Sequence, residues 1–427
     1  MKPVVTVREH ARLTTVIDVK QSLDLATVSN SAFDWLCQLS AGFRKGGASL
    51  VQVEDRRFLR LDNYVGTLET PCGTRLEILP KHVEDEGAAI NSRALLIRMI
   101  STSLDLPARE AGEASLSLFS SPISEWVIGQ FLVALDHLVK RGIRSDYLRV
   151  EAAEPYLRGQ LDGVRQMRQP PGRQHIFQIR HDIFVPDRPE NRLLKIALDY
   201  VCKAAQTPAN WRLAHELRSL LKEIPASRDI AADFKAWRRD RLMAHYHAIR
   251  PWCELILYRH MPLAVAGKWR GVSMLFPMEK LFERYVAASL RKILLPGSKL
   301  ILQAARHALC KHYGLPMFQL RPDMLVEHSG SRWILDAKWK RLDGRDRDGK
   351  YGLAQSDFYQ LFAYGMKYLN GVGDMALVYP QNGYFHGIPE PFEFSDGLRL
   401  WGVAFDLESG RFLNIEQAGL PVVSNGG

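Results

Sequence analysis

Two aspartates and a lysine lie close together in the segment RPDMLVEHSGSRWILDAKWK, which runs from Arg321 to Lys340. Lys338 follows Asp336 by two positions, and Asp323 precedes both in the same segment. Paired carboxylates bind divalent cations, and an ammonium group beside them stabilises negative charge on a phosphate. These residue types therefore indicate metal-assisted chemistry on a phosphate ester, provided that the chain brings the two aspartates together.

A β-hairpin centred on Ser329 and Gly330 would bring them together, because Gly accepts the positive φ that a two-residue turn needs. Pairing outward from that turn places Asp323 opposite Asp336, with Cβ atoms roughly 4.5–5.5 Å apart. Side chains alternate along a strand, so both aspartates and Lys338 share one face. The other face is apolar and consists of Met324, Val326, Trp333, Leu335 and Ala337. Since opposed like charges are destabilising, the hairpin predicts a site for Mg²⁺ or Mn²⁺.

Two helical patterns could complete this site. In MEKLFERYVAASLRKIL an apolar stripe has Glu279 and Glu283 one turn apart on its edge. Either glutamate could supply a third carboxylate, or both could form ordinary surface pairs. In DFYQLFAYGMKYL, Gln360 and Tyr364 are four residues apart and share a helix face. They could support the site or belong to the packing of an aromatic helix.

The chain has 427 residues, which is too long for one compact core. Its pattern predicts an α+β protein with three parts. Residues 1–85 are β-rich, with one helix from Ser31 to about Leu39. Residues 86–271 are mainly helical, with apolar residues spaced by three and four. Residues 272–427 mix strands with two helices and contain the candidate catalytic residues.

The composition favours an anionic partner. The net charge is +10 and the pI is about 9.3, which fits a nucleic acid, although basic proteins without such a partner exist. The five cysteines form no CxxC pair, which fits a reducing cytoplasm. We expect a cytoplasmic protein without a membrane span, because no signal peptide or long apolar run is evident.

Several other motifs are incomplete. The stretch GRDRDGKY from Gly344 is similar to a phosphate-binding loop. However, Tyr351 occupies the position of the Ser or Thr whose hydroxyl binds Mg²⁺, and the nearby aspartates would repel phosphate. Nucleotide hydrolysis should therefore belong to a partner. His245 and His247 lie in an arginine- and aromatic-rich stretch that would suit either DNA contacts or a solvated helix face. Arg44 and Lys45, in FRKGG, could form a finger that reaches a partner or an ordinary loop.

In order, RPD, DAK and QxxxY resemble the PD-(D/E)xK nuclease core. The segments MEKLFERYV, ENRLLKIAL and YVGTLETPCGTRLEILPK are similar to the McrC family, the nuclease subunits of McrBC-type modification-dependent (type IV) restriction systems. This resemblance implies a restriction-endonuclease-like domain at 272–427 and Mg²⁺-dependent DNA cleavage in antiviral defence. It also implies an AAA+ GTPase (McrB-like) hexamer as partner, which reads 5-methylcytosine or another modified cytosine in double-stranded DNA. Residues 1–85 would then dock on that GTPase and stimulate it.

The resemblance also implies roles for individual residues. Asp323 and Asp336 would hold the metal, and Lys338 would assist the attacking water or the charged phosphate. Glu283 would be the helix carboxylate, while Gln360 and Tyr364 would support the site or the DNA. Two alternatives remain: a stand-alone, repair-type nuclease, and a non-catalytic adaptor that binds DNA and activates an NTPase.

Overall fold

The computed structural model describes residues 4–43, 50–82, 88–104, 106, 122–238, 240–257, 274–395 and 397–423. The chain divides into two compact units, one of residues 124–259 and one that combines residues 2–123 with 260–427. No helix within the described ranges is long and apolar enough to cross a membrane.

The secondary structure is mixed throughout. The strands are β1 (Val4–Arg8), β2 (Arg12–Thr14), β3 (Leu25–Thr27), β4 (Val51–Val53), β5 (Phe58–Leu61), β6 (Tyr64–Glu69), β7 (Arg75–Leu79), β8 (Asp146–Glu154), β9 (Gln160–Leu161), β10 (Phe177–Val185), β11 (Met274–Pro277), β12 (Lys299–Leu302), β13 (His307–His312), β14 (Leu315–Leu320), β15 (Met324–His328), β16 (Ser331–Ala337), β17 (Gly373–Pro380), β18 (Phe392–Ser395), β19 (Leu398–Asp406) and β20 (Arg411–Leu413). The α-helices are α1 (Asn30–Phe43), α2 (Ala88–Ser103), α3 (Ile123–Arg141), α4 (Gly163–Met167), α5 (Pro189–Ala204), α6 (Pro208–Leu220), α7 (Ile230–Ala236), α8 (Arg250–Leu257), α9 (Met278–Ile293) and α10 (Gln355–Tyr368). Short 3₁₀ helices lie at Arg241–Tyr246, Lys350–Gly352 and Ile415–Ala418.

The N-terminal residues, joined by strand β11, form two four-stranded sheets around one helix. The strand orders are β1-β7-β6-β11 and β3-β2-β5-β4. Helix α1 buries Phe33 and Leu36 in a core shared with both sheets, to which Leu13 and Ile78 contribute. The β-rich character predicted for this end of the chain is therefore present.

This N-terminal part is built together with the C-terminal part. Strand β11 pairs antiparallel with β6, from Met274 opposite Thr67 to Pro277 opposite Tyr64. Leu275 belongs to the N-terminal core, and α2 packs against α9. The two compact units therefore differ from the predicted division at 85 and 272. Four residues of strand carry too little pattern to reveal a partner about 200 positions earlier in the sequence.

The middle of the chain is less purely helical than its sequence predicts. Helix α5 lies centrally in the unit of residues 124–259 and contacts α6, α7 and α8. The same unit contains a three-stranded sheet of order β8-β10-β9, in which Phe177 pairs with Glu154 and Val185 with Asp146. The prediction missed this sheet because most of β8 is exposed, so it lacks a regular apolar alternation.

The C-terminal sheet is mixed and has the order β12-β15-β16-β17-β19-β18, with β20 beside β19. Strands β16, β17 and β19 run parallel, while β12, β15 and β18 run antiparallel to their neighbours. Helix α10 covers one face through a core that includes Leu325, Ile334 and Leu361. Helix α9 covers the other face, where Phe282 contacts Trp339 and Phe405. Strands β15 and β16 are thus enclosed between two helices.

Candidate active site

The hairpin of β15 and β16 has the register predicted from the sequence. Met324 pairs with Leu335, Val326 with Trp333 and His328 with Ser331. Ser329 and Gly330 form the turn, with φ of 47° and 84°. Positive φ at both central residues is what the tight hairpin turn requires. The register prediction is therefore confirmed.

This register brings the two aspartates together at the open end of the hairpin. Asp323 directly precedes β15, and its Oδ2 accepts a hydrogen bond of 3.1 Å from the backbone N–H of Ala337, the neighbour of Asp336. Asp323 and Asp336 are 9% and 1% exposed. Burial, together with the nearby charges of Asp336 and Glu283, raises the pKa of Asp323 to about 7. Burial likewise raises the pKa of Asp336.

Lys338 supplies a positive charge beside this pair. Its Nζ lies 2.8 Å from Oδ2 of Asp336, and its backbone N–H donates to the carbonyl of Val378 in β17 at 2.9 Å. Burial by itself would lower the pKa of Lys338, but the surrounding carboxylates, Asp336 foremost, together outweigh burial, and the net pKa is raised. Lys338 therefore remains protonated at neutral pH.

Helix α10 holds this lysine from one side. Lys338 Nζ donates to Oε1 of Gln360 at 3.2 Å, and Gln360 Nε2 donates to the hydroxyl of Tyr364 at 2.7 Å. Tyr364 in turn donates to the backbone carbonyl of Arg321 at 3.1 Å. The two residues therefore link the lysine to the segment that carries Asp323.

Helix α9 presents one of its two candidate glutamates to the site. Glu283 is buried, and its Oε2 accepts from Lys280 Nζ at 2.6 Å. Glu279, one turn earlier, is exposed. The structure thus brings Glu283 toward the aspartates and leaves Glu279 at the surface.

Gln303 is a residue of the candidate site that the sequence analysis did not identify. Its Nε2 donates to Oε1 of Glu283 at 2.5 Å and to Oδ1 of Asp323 at 2.8 Å. Its backbone N–H also donates to the carbonyl of Asp323 at 3.0 Å. Strand β12 pairs antiparallel with β15, and this pairing places Gln303 opposite Asp323. Only knowledge of that pairing could have identified it.

The donor set suits a hard divalent cation. Mg²⁺ commonly binds through one or two carboxylates and completes its shell with water and phosphate oxygens. Asp323 and Asp336 form such a pair, and burial together with the charges of Asp336 and Glu283 raises the pKa of Asp323. Within the described ranges no group of three or more His, Cys, Asp and Glu side chains could hold a metal ion. This agrees with Glu283 being engaged by Lys280 and Gln303.

The remaining candidates lie elsewhere. Arg44 and Lys45 fall outside the described residues. In the loop from Gly344, the carboxylate of Asp346 accepts the N–H of Gly349 at 2.8 Å, so that N–H is already engaged. His245, in the unit of residues 124–259, packs edge-on against Tyr246.

A groove on the outer side of α10 is separate from the site. Its volume is about 520 Å³. Gln360 and Tyr364 do not line it, because they lie on the opposite side of the helix. It is lined mainly by apolar and aromatic residues: Leu353, Ala354, Phe358, Tyr359, Phe362, Phe392 and Phe394.

Comparison with known proteins identifies the family. The model of the McrBC 5-methylcytosine restriction system component matches residues 59–380, a range that contains every described site residue. No curated protein matches the chain.

Two solved structures have a similar fold. One is a half-complex refined from a tetradecameric assembly of Thermococcus gammatolerans McrB AAA+ hexamers with bound McrC. The match has a TM-score of 0.69 and 18% identity, and it covers 97% of this chain and 98% of the other. The second is the cryo-EM structure of the Thermococcus gammatolerans McrBC complex, with a TM-score of 0.51, 20% identity, and coverage of 68% and 87%. Because the family model matches most of the chain, the chain belongs to the McrBC family of restriction system components.

Proposed function

We propose that this chain is the nuclease subunit of a modification-dependent restriction complex and that it hydrolyses DNA phosphodiester bonds with Mg²⁺ or Mn²⁺. The observation that carries the proposal is the buried pair Asp323 and Asp336 with Lys338 Nζ 2.8 Å from Asp336, in a chain of the McrBC family. A carboxylate pair without a ligand would be a costly feature in a protein core, because burying charge is unfavourable.

Asp323 and Asp336 would hold the cation, which supplies Lewis-acid polarisation of the phosphate and lowers the pKa of bound water. Gln303 orients Asp323 by donating to Oδ1, while the N–H of Ala337 fixes Oδ2. Glu283 is the helix carboxylate of the site and acts on Asp323 through Gln303.

Lys338 stabilises the charge that develops on the scissile phosphate. Its raised pKa keeps the ammonium protonated, so it is suited to electrostatic stabilisation and unsuited to the role of general base. Gln360 and Tyr364 position its Nζ through the hydrogen-bond chain that ends at Arg321.

An AAA+ GTPase would direct this activity. The fold matches a chain from assemblies of McrB AAA+ hexamers with bound McrC, which favours a subunit over a stand-alone repair nuclease. The stretch from Gly344 does not complete a phosphate-binding loop, so GTP hydrolysis is assigned to the partner. Modified cytosine in double-stranded DNA is the proposed target, and the N-terminal sheets are the proposed docking region.

The test is a cleavage assay with the full chain, Mg²⁺ and a plasmid carrying 5-methylcytosine, with and without a McrB-like GTPase and GTP. We expect cleavage only in the complete mixture. Rapid, multiple-turnover cleavage by the chain alone would instead identify a stand-alone nuclease. Stimulated GTP hydrolysis without any cleavage would identify an adaptor.

A further inference from the structure

A projecting hairpin occupies the chain between two residues of the candidate active site. Strands β13 and β14 pair antiparallel from His307 opposite Leu320 to His312 opposite Leu315. Gln303 precedes this hairpin and Asp323 follows it. The hydroxyl of Tyr368 binds the base of the hairpin, at 2.5 Å from the carbonyl of Ala304 and 3.0 Å from that of Leu320. The base of the hairpin is therefore fixed beside the site.

Beyond its base the hairpin is open to solvent on both faces. Every residue from 309 to 319 is exposed, including Tyr313 at 91% and Leu315 and Phe318 at 69%. Two-stranded hairpins are marginally stable in water, and clustered exposed apolar residues mark interaction sites. The hairpin has the composition of an element that a partner covers.

Its charge favours a polyanion as that partner. Residues 304–322 contain Arg306, Lys311 and Arg321, together with two histidines, and no aspartate or glutamate. Arg306 forms an ion pair with Glu327 at the base, while Lys311 is exposed near the tip. Six residues per strand span about 20 Å at roughly 3.3 Å each. A two-stranded ribbon fits the major groove of duplex DNA, which is about 12 Å wide.

We propose that the hairpin of β13 and β14, called here the site hairpin, inserts into a groove of duplex DNA and positions the backbone at Asp323 and Asp336. Lys311 contacts a phosphate, and the turn residue Tyr313 contacts the groove interior. The inference rests on the proposed function, because duplex DNA is the substrate there. The inference adds the element that binds the duplex, and it places that element in the chain between Gln303 and Asp323.

The first test uses Cys310, an exposed cysteine in β13, as a probe. Cys72 is also exposed and lies far from the hairpin in sequence, so it serves as the internal control. Partial burial would raise the pKa of Cys72, but hydrogen bonds from neighbouring hydroxyls lower it to about 6. The full chain is alkylated without divalent cation, with and without a short duplex. We expect the duplex to slow alkylation of Cys310 several-fold and to leave Cys72 unchanged. Equal rates at Cys310 would overturn the proposal.

The second test measures duplex affinity against salt by fluorescence anisotropy, again without divalent cation. Lys311→Glu should weaken binding and reduce the slope of log K against log salt by about 0.9 for each phosphate that the variant no longer neutralises. Tyr313→Ala should weaken binding several-fold with the slope kept. The matched control is Lys292→Glu, which makes the same charge change at an exposed position in the last turn of α9. Equal weakening by Lys311→Glu and Lys292→Glu would show that binding depends only on the net charge of the protein, and it would overturn the proposal.

The two proposals fail in different ways. Wild-type affinity in all hairpin variants, with cleavage intact in the complete complex, would remove only the hairpin proposal. Hairpin-dependent binding without cleavage by the wild-type complex would remove only the nuclease proposal. If the hairpin variants differ from the wild type in sedimentation coefficient but not in DNA affinity, a protein such as a second copy of the chain covers the hairpin. That result would also overturn the hairpin proposal.

Discussion

The indole N–H of Trp339 donates a hydrogen bond of 2.8 Å to Oε1 of Glu9, across 330 positions of sequence. The same oxygen accepts the backbone N–H of Lys81 at 2.8 Å. Glu9 is 1% exposed, and burial raises its pKa. Because Trp339 directly follows Lys338, this contact ties the N-terminal sheets to the backbone beside the site lysine.

A double-mutant cycle of Glu9→Ala and Trp339→Phe should show that this contact is energetically coupled. Each change leaves a buried or half-buried polar group with one partner fewer, which should lower the free energy of unfolding by about 1–3 kcal/mol. The double variant should be destabilised by less than the sum, with a coupling of about 0.5–3 kcal/mol in urea denaturation. Trp401→Phe is the control second site, since its indole binds Asp374 instead. Strict additivity of the Glu9 and Trp339 changes would contradict the coupling.

Glu283→Gln should separate a site glutamate from a surface one. Because Glu283 accepts from Gln303, which orients Asp323, the change should reduce cleavage or Mg²⁺ affinity by about 10–100-fold. Glu279→Gln, one turn away and exposed, should have no effect. The measurement is the Mg²⁺ concentration dependence of cleavage by the reconstituted complex. Equal behaviour of the two variants would exclude Glu283 from the site.

Lys338→Ala should bind DNA normally but cleave about 10²–10³-fold more slowly at saturating Mg²⁺, the reduction typical of removing one electrostatic stabiliser. Lys340→Ala provides the comparison, because Lys340 is exposed two positions further along. The measurement is the single-turnover cleavage rate. Matching rates in the two variants would rule out the proposed role of Lys338.

The metal-free protein should show a pH dependence that originates at Asp323. Its pKa rises from the ordinary 3.8 to about 7 in the folded chain, so the folded state binds more protons than the unfolded state between these values. The resulting stabilisation is complete below the unfolded pKa and is lost as pH rises through about 7. The free energy of unfolding, measured without divalent cation, should fall more steeply with pH in the wild type than in Asp323→Asn. Parallel curves would refute the assignment.

The sequence predicts the core of the site because local rules determine it. A Ser-Gly turn fixes the hairpin register, and period-2 alternation then places Asp323 and Asp336 on one face. An apolar stripe likewise predicts helix α9, expected from Met278 to Leu294 and observed from Met278 to Ile293. Such features depend on residues that are close in the sequence.

Features set by distant contacts could not be predicted in this way. Glu279 and Glu283 occupy similar edges of one stripe, and only the positions of Gln303 and Asp323 distinguish them. Gln303 itself reaches the site through the pairing of β12 with β15, strands that are separated by the site hairpin. The pairing of β11 with β6 spans a still longer separation and changes the division into units.

The most direct test of the central claim compares wild-type and Asp336→Asn chains in the complete complex with the GTPase, GTP, Mg²⁺ and DNA containing 5-methylcytosine. Cleavage and GTP hydrolysis are measured in the same reaction. We predict that Asp336→Asn abolishes cleavage while GTP hydrolysis remains stimulated, because the change removes a proposed metal ligand and leaves the N-terminal sheets intact. Wild-type cleavage by a correctly folded Asp336→Asn chain would contradict the account.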